Sequence, residues 1–363
     1  MRVLMNKQFT ILVVGFLICL LLPLNSSFAD ESAIPEAEII VDGRPQKTKY
    51  LMRSGHILVP AFFLKHTGVN VNRNQQYRSV VFSFEENLYA LPINKNFSDD
   101  YLGKVKKWVR FPLVTNTVEI DGDVYVPLVD LAKKFGMIVT YNPKLRRTEI
   151  TTNIRSAKSS IRRGNPERKF VALTFDDGPD PHYTPQILDI LKEKNVRATF
   201  FVMGKQVENY PNIMKRIFNE GHAFGNHTWN HPSFPRVMTE QIIEEINSTQ
   251  TVIDRTIGRR SDLFRPPYGA ITKADALLLE KMGMRTIMWT VDTLDWSGLS
   301  GDDILSIVHR DISPGGIILQ HNFEPHREDA RLLDGTVEAL PRIIDELRAK
   351  GYRFVTIHTL LAN

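Results

Sequence analysis

Two carboxylates and two histidines mark the C-terminal half of this sequence as a place where chemistry could happen. Thr174-Phe-Asp-Asp-Gly-Pro179 sets Asp176 beside Asp177 at the end of an apolar run, and His227-Thr-Trp-Asn-His231 sets two imidazoles four residues apart. Neighbouring residues leaving a strand point in opposite directions, so one carboxylate can bind a metal while the other faces a substrate. Asp-Gly-Pro alone also suits a turn or a helix cap. The two histidines share one face if their segment coils into a helical turn, and they can then share one cation. With a carboxylate from an adjoining strand end they make a facial site that leaves positions open for water and substrate. A metal there would polarise a carbonyl and acidify water. Amide hydrolysis then needs a base for the water's proton and an acid for the leaving amine. Asp176 is placed to be the base.

The acid should come from a later strand end, and Gly316-Ile-Ile-Leu-Gln-His321 supplies a histidine there. His309, His326 and His358 end no apolar strand and read as surface or packing residues. Arg265-Pro-Pro-Tyr-Gly269 follows the strand-like Leu263-Phe264, with prolines that stiffen the loop and a guanidinium able to hold a carboxylate. Trp289-Thr-Val-Asp292-Thr-Leu-Asp295-Trp296 ends another strand. Trp289 reads as core packing, and Asp295 and Trp296 as part of a site.

These residues need a scaffold that brings strand ends together. From Lys169 onward apolar strands alternate with amphipathic helices, starting with a strand over 170–175 and a helix around 187–191. Further strands are expected over 198–203, 223–226, around 264, and over 286–291, 316–320 and 354–357. The pattern argues a parallel α/β domain whose closed form is a βα-barrel, in which catalytic side chains sit at the C-terminal ends of strands. Asp176, Asp177, His227, Arg265, Asp295 and His321 all fall there.

The whole chain sets the compartment. Its 363 residues, 42% hydrophobic and 24% charged, allow two ordinary globular domains. Arg2 and Lys7 precede an apolar run from Ile11 to Leu22, shorter than the roughly 20 residues a bilayer needs. Ser27-Phe28-Ala29 offers small residues for a signal peptidase, which gives a signal peptide over residues 1–29 and a secreted or wall-associated protein. An uncleaved membrane anchor is the rival. The single cysteine, Cys19, lies in the apolar run, so the mature chain has no disulfide and must hold any metal through oxygen and nitrogen. The net charge of +5 is modest, and no basic-aromatic stripe suggests nucleic acid.

The N-terminal half repeats itself. Gly55-His-Ile-Leu-Val-Pro60 and Gly122-Asp-Val-Tyr-Val-Pro127 each lead into a helical pattern and then two strands, and Asp42-Gly43 and Asp121-Gly122 signal tight hairpins. This strand–helix–strand–strand repeat resembles the small domain named after the N-terminal domain of copper amine oxidases, over residues 35–153. The name implies no copper, and His56 and His66 have no partner at ligand spacing. The domain is expected to contact the wall or a protein, or to act as a spacer. Residues 154–168 are polar and basic, interrupted by Gly164 and Pro166, and read as a solvated linker.

Over residues 169–363 the motifs 174–179, 227–231, 265–269, Asp295-Trp296 and Leu319-Gln-His321 resemble, in order, the five motifs of polysaccharide deacetylases, the carbohydrate esterase family 4 or NodB homology group. The fold class that follows is α/β, a distorted (β/α) barrel preceded by a small α+β domain built from two similar halves. The resemblance implies Asp176 as base, Asp177, His227 and His231 as metal ligands, and His321 as acid tuned by Asp295. It implies that Arg265 orients the base and that the Tyr268 N–H helps hold the oxyanion, a contact worth about 3 kcal/mol. Trp296 and Leu319 would line a pocket for the acetyl methyl. The implied metal is zinc, with cobalt, nickel or manganese as substitutes. The expected activity is removal of N-acetyl groups from N-acetylglucosamine in peptidoglycan or a related polysaccharide. An O-acetyl xylan esterase and a non-catalytic wall-binding protein are the competing readings.

Overall fold

The structure, a computed structural model, describes residues 34–324 and 331–363. The signal-peptide or anchor reading of residues 1–29 and the reading of His326 lie outside the described residues. Among those described, no helix is long and apolar enough to cross a membrane.

The strand Phe170–Asp176 is the axis of the C-terminal half. Nearly every residue of it is buried, as expected of a parallel strand covered on both sides. Val171, Leu173 and Phe175 pack outward against helices through Ile187, Leu188, Ile343 and Ile344. Ala172 packs on the other side with Phe201, Leu263, Ile287 and Ile317. Period-two alternation therefore puts Thr174 and Asp176 on the same inner side as Ala172.

All pairings in this sheet are parallel. Its order runs Arg285–Thr286, Leu263–Phe264, Ala223–Asn226, Thr199–Val202, Phe170–Asp176, Gly316–His321, Val291–Asp292, with Arg353–Phe354 also on the central strand. The expected single strand over 286–291 is two short ones, and they pair with opposite ends of the sheet. One run of chain thus ties both edges together and makes the sheet a distorted barrel. The expected strand over 354–357 stops at Phe354, because the Thr356 side chain accepts from the Thr359 N–H and starts the helix Ile357–Leu361.

In the N-terminal half the repeat takes the form expected of it. His56–Pro60, a 3-10 turn over Ala61–Thr67, Asn70–Asn74 and Ser79–Phe84 answer Asp123–Pro127, the helix Leu128–Lys134, Ile138–Asn142 and Arg147–Thr151. The equivalent strands pair antiparallel with Val59 opposite Val126. Asp42-Gly43 and Asp121-Gly122 both take positive φ at two successive residues, as hairpin turns matched to the strand twist require. Three further strands, Asn87–Pro92, Phe97–Leu102 and Lys107–Pro112, extend the first repeat into a five-stranded antiparallel sheet.

Residues 154–168 are not solvated along their length. Ile161 donates to Thr286 O at 2.8 Å and accepts from the Met288 N–H at 2.7 Å, adding a β-bridge at the edge of the barrel. Arg155 pairs with Glu280.

Residues 35–363 form one compact unit, joined by contacts that sequence did not signal. Lys65 is wholly buried, with Nζ donating to Phe234 O at 2.6 Å and Val237 O at 2.9 Å and lying 2.8 Å from Asp275 Oδ1. Lys273 reaches back to Asp42, Thr152 and Ile154. Replacing Lys65 by Met strands a buried carboxylate and two carbonyls, and unfolding in urea is expected to show a loss of about 3–5 kcal/mol. Lys65→Met combined with Asp275→Asn should recover part of it. A loss no larger than that of the exposed Arg155→Ala would mean the pair does not hold the halves together.

Candidate metal centre and catalytic site

The barrel delivers its reactive groups to one rim. Asp176 ends the central strand and lies in register with His321 on one neighbour and Phe201 on the other. His227 directly follows the Ala223–Asn226 strand, and Arg265 follows Leu263–Phe264.

Asp177, His227 and His231 each offer one ligand atom, and the three atoms lie within 4.8 Å of one another. Asp177 Oδ1 is 3.2 Å from His227 Nε2 and 3.4 Å from His231 Nε2. His227 Nδ1 is 2.7 Å from Arg265 O, so it carries the proton and leaves the Nε2 lone pair free. The histidine segment is not a helical turn, the condition under which spacing alone would put both rings on one face. Thr228 and His231 both adopt left-handed φ, 68° and 61°, and the loop is built on side chains instead. Glu245 accepts from the Trp229 and Asn230 N–H groups, each at 2.8 Å, Asn226 Oδ1 from the Thr228 N–H, and Thr228 Oγ1 from the His231 N–H. Asp177 at φ 77° and Tyr268 at φ 59° share the conformation. Non-glycine residues there store strain, and their clustering at one rim is characteristic of functional sites.

On the other side of Asp177 stand two charge pairs. Arg265, fully buried, donates from Nη1 to Asp176 Oδ1 at 2.7 Å and to Thr174 Oγ1 at 2.9 Å, with its plane over Phe201. Asp176 Oδ2 is left facing His227 Nε2 at 3.8 Å. His321 donates to the two oxygens of Asp295, from Nδ1 at 2.7 Å and from its backbone N–H at 2.8 Å. Trp289 packs in the barrel beside Arg265. His309 and His358 make pairs with Glu346 and Asp262, away from these residues.

Residues 163–287 match the polysaccharide deacetylase family. The chain is 44% identical over 190 residues to a peptidoglycan-N-acetylglucosamine deacetylase of Bacillus cereus, covering 52% of this chain and 67% of that one. It is 35% identical over 268 residues to the peptidoglycan-N-acetylglucosamine deacetylase PgdA of Listeria monocytogenes, 71% of this chain and 53% of that one. The crystal structure of the Bc1960 peptidoglycan N-acetylglucosamine deacetylase, in complex with 4-naphthalen-1-yl-N-oxidanyl-benzamide, superposes with TM-score 0.54 at 41% identity, covering 56% of this chain and 93% of that one. The chain belongs to the polysaccharide deacetylase family.

The charges of this deacetylase-family site favour a bound cation. Asp177 Oδ1 is buried with no hydrogen-bond partner among the described residues, an orphaned acceptor between two imidazole nitrogens. Burial opposes its charge, but His227, His321 and His231 hold it well below the usual carboxylate range. Burial and then the neighbouring His227 push His231 down to about 4, which keeps it a neutral ligand. Burial lowers His227 as well, and Asp176 and Asp177 more than offset it, so the pocket attracts positive charge. Burial would also lower His321, but Asp295, with Asp177 and Asp176 behind it, raises it to about 9. That pairing favours the imidazolium form.

The remaining candidates surround this cluster. Leu319 is buried two residues before His321 on the same strand, and so shares its face. Trp296 and Tyr268 are exposed, and the Tyr268 ring packs edge-on against His231 at 4.5 Å. Among the described residues the Tyr268 N–H has no backbone acceptor, whereas Gly269 and Ala270 donate to Pro266 and Pro267. Sequence reasoning missed Glu245, Asn226 and Thr336, which donates to Asp295 Oδ2 at 2.8 Å. Glu245 left a signal, an acid beside Ile246 on the buried face of the Thr239–Ile257 helix.

Proposed function

We propose that the chain removes N-acetyl groups from N-acetylglucosamine in peptidoglycan, with Asp177, His227 and His231 holding a zinc ion. The observation that carries the reading is the register of Asp176 beside His321 on adjacent strands, with the Asp177 ligand set next to them. That register supports a base and an acid acting together at one rim. Relatives named as peptidoglycan-N-acetylglucosamine deacetylases support the substrate.

When bound, the divalent ion supplies Lewis-acid polarisation of the acyl oxygen and of water. Asp176, fixed by Arg265 through Oδ1, takes the water's proton on Oδ2. His321, protonated and held by Asp295, gives a proton to the departing amine nitrogen, so the products are acetate and a free amino sugar. The Tyr268 N–H donates to the oxyanion, and Trp296 and Leu319 flank the acetyl methyl. Export by residues 1–29 would bring this chemistry to the wall.

Acetate release from peptidoglycan and from soluble N-acetylglucosamine oligomers tests the reading, with acetylxylan in parallel. Release from the first two should stop with chelator and return with zinc. Release from acetylxylan alone would make the protein an O-acetyl esterase. No release from any, with metal bound, would leave a binding protein.

A further inference from the structure

The five-stranded sheet of the N-terminal half buries one face and leaves the other open. One straight row of cross-strand neighbours on the open face reads Asn72, Val81, Ala90, Asp99, Arg110. Small apolar side chains in the middle and planar polar ones at the ends make a trough of about 950 Å³. In the next row Trp108 lies opposite Tyr101, with their rings 5.3 Å apart. Trp108 is 51% exposed and Tyr77, also on the lining, 69%. Trp108 stands on the sheet and Tyr77 on the turn between its first two strands, and large aromatic rings left in water mark a contact surface.

The charges of the trough say what kind of contact. Arg110 makes two hydrogen bonds to Asp99, at 2.9 and 3.1 Å, and its guanidinium lies 3.7 Å over the Phe97 ring. Arg73 is paired with Glu119. Each cation is neutralised by its own carboxylate, so the surface offers little to a polyanion. Aromatic faces for ring C–H groups, beside amide and ion-paired side chains for hydroxyls and amides, suit an uncharged sugar chain. At one end Asn72 Oδ1 accepts from the N–H of Glu240, at the start of the helix that follows the histidine loop. The trough and the catalytic rim therefore belong to the same compact unit.

We propose that this trough binds a stretch of the amino-sugar polymer that the catalytic site acts on, an assignment that rests on the deacetylase reading. The test sediments the full chain with insoluble peptidoglycan freed of anionic wall polymers, as wild type and with Trp108→Ala plus Tyr77→Ala, at low salt and at about 1 M salt. The wild type should pellet at both. The exposed double variant should keep its melting temperature and bind roughly tenfold more weakly. Equal retention of the two proteins, or retention that salt abolishes, overturns the proposal. Acetate release from soluble oligomers by the wild type is scored separately. Release without trough-dependent retention sinks the trough alone, and trough-dependent retention without release sinks the deacetylase reading instead.

Discussion

Replacing Asp176 by Asn is expected to lower kcat/KM for acetate release by about 10³-fold while leaving the metal content of the purified protein unchanged. The amide keeps the shape, and its oxygen can still accept from Arg265, but it cannot take a proton from water. Metal content should hold because the three ligand atoms belong to Asp177, His227 and His231. The adjacent change, Asp177→Asn, should do the reverse and lose the metal, since it removes the charge of the buried Oδ1 that two imidazoles face. Elemental analysis beside kinetics separates the two. Metal lost from Asp176→Asn and retained in Asp177→Asn would exchange the roles of these carboxylates. Arg265 also loses its nearest counter-charge in Asp176→Asn, so a melting curve must accompany the rates.

The contrast between these neighbours shows what a sequence can carry. That one strand ends in two carboxylates was legible, because an apolar run followed by Asp-Asp-Gly-Pro is local information. The barrel was legible for the same reason, as strands such as Phe170–Asp176 and Gly316–His321 are continuous apolar segments. The conformation of the histidine segment was not. Spacing of four puts both rings on one face only in a helical turn, but Glu245, fourteen residues past His231, takes the backbone N–H groups of Trp229 and Asn230 and holds the loop open. The run from Arg285 to Asp292 was misjudged because one hydrophobic stretch served two distant edges, a choice made by tertiary pairing. Docking of the two halves was hidden most deeply. Lys65 reads as an ordinary surface lysine, and its acceptors are carbonyls 169 and 172 residues away, which have no sequence signature. Pairwise long-range contacts of this kind decide geometry, while local pattern decides which elements exist.

Asp295→Asn should move the alkaline limb of the kcat/KM profile to lower pH by about 1–3 pH units. Asp295 raises the pKa of His321, so activity in the wild type should fall on the alkaline side, as that proton is lost. The sign follows from the balance on the imidazole. Burial favours the neutral ring, and Asp295 is the largest influence against it, so removing that charge lets burial pull the pKa down. The acid is then lost at a lower pH, and the fall in rate comes earlier. Positive charge bound at Asp177 would lower His321 in both proteins alike, so the difference between profiles remains the measured quantity. The substitution also costs stability, since Asp295 accepts from His321 at both oxygens and from Thr336, and an amide can keep only one of the two sides. His321→Ala should instead lower the plateau by about 10²–10⁴-fold and remove the limb. An Asp295→Asn profile that loses height at every pH without moving would show that the limb belongs to another group, and His321 would then be a binding residue rather than the acid.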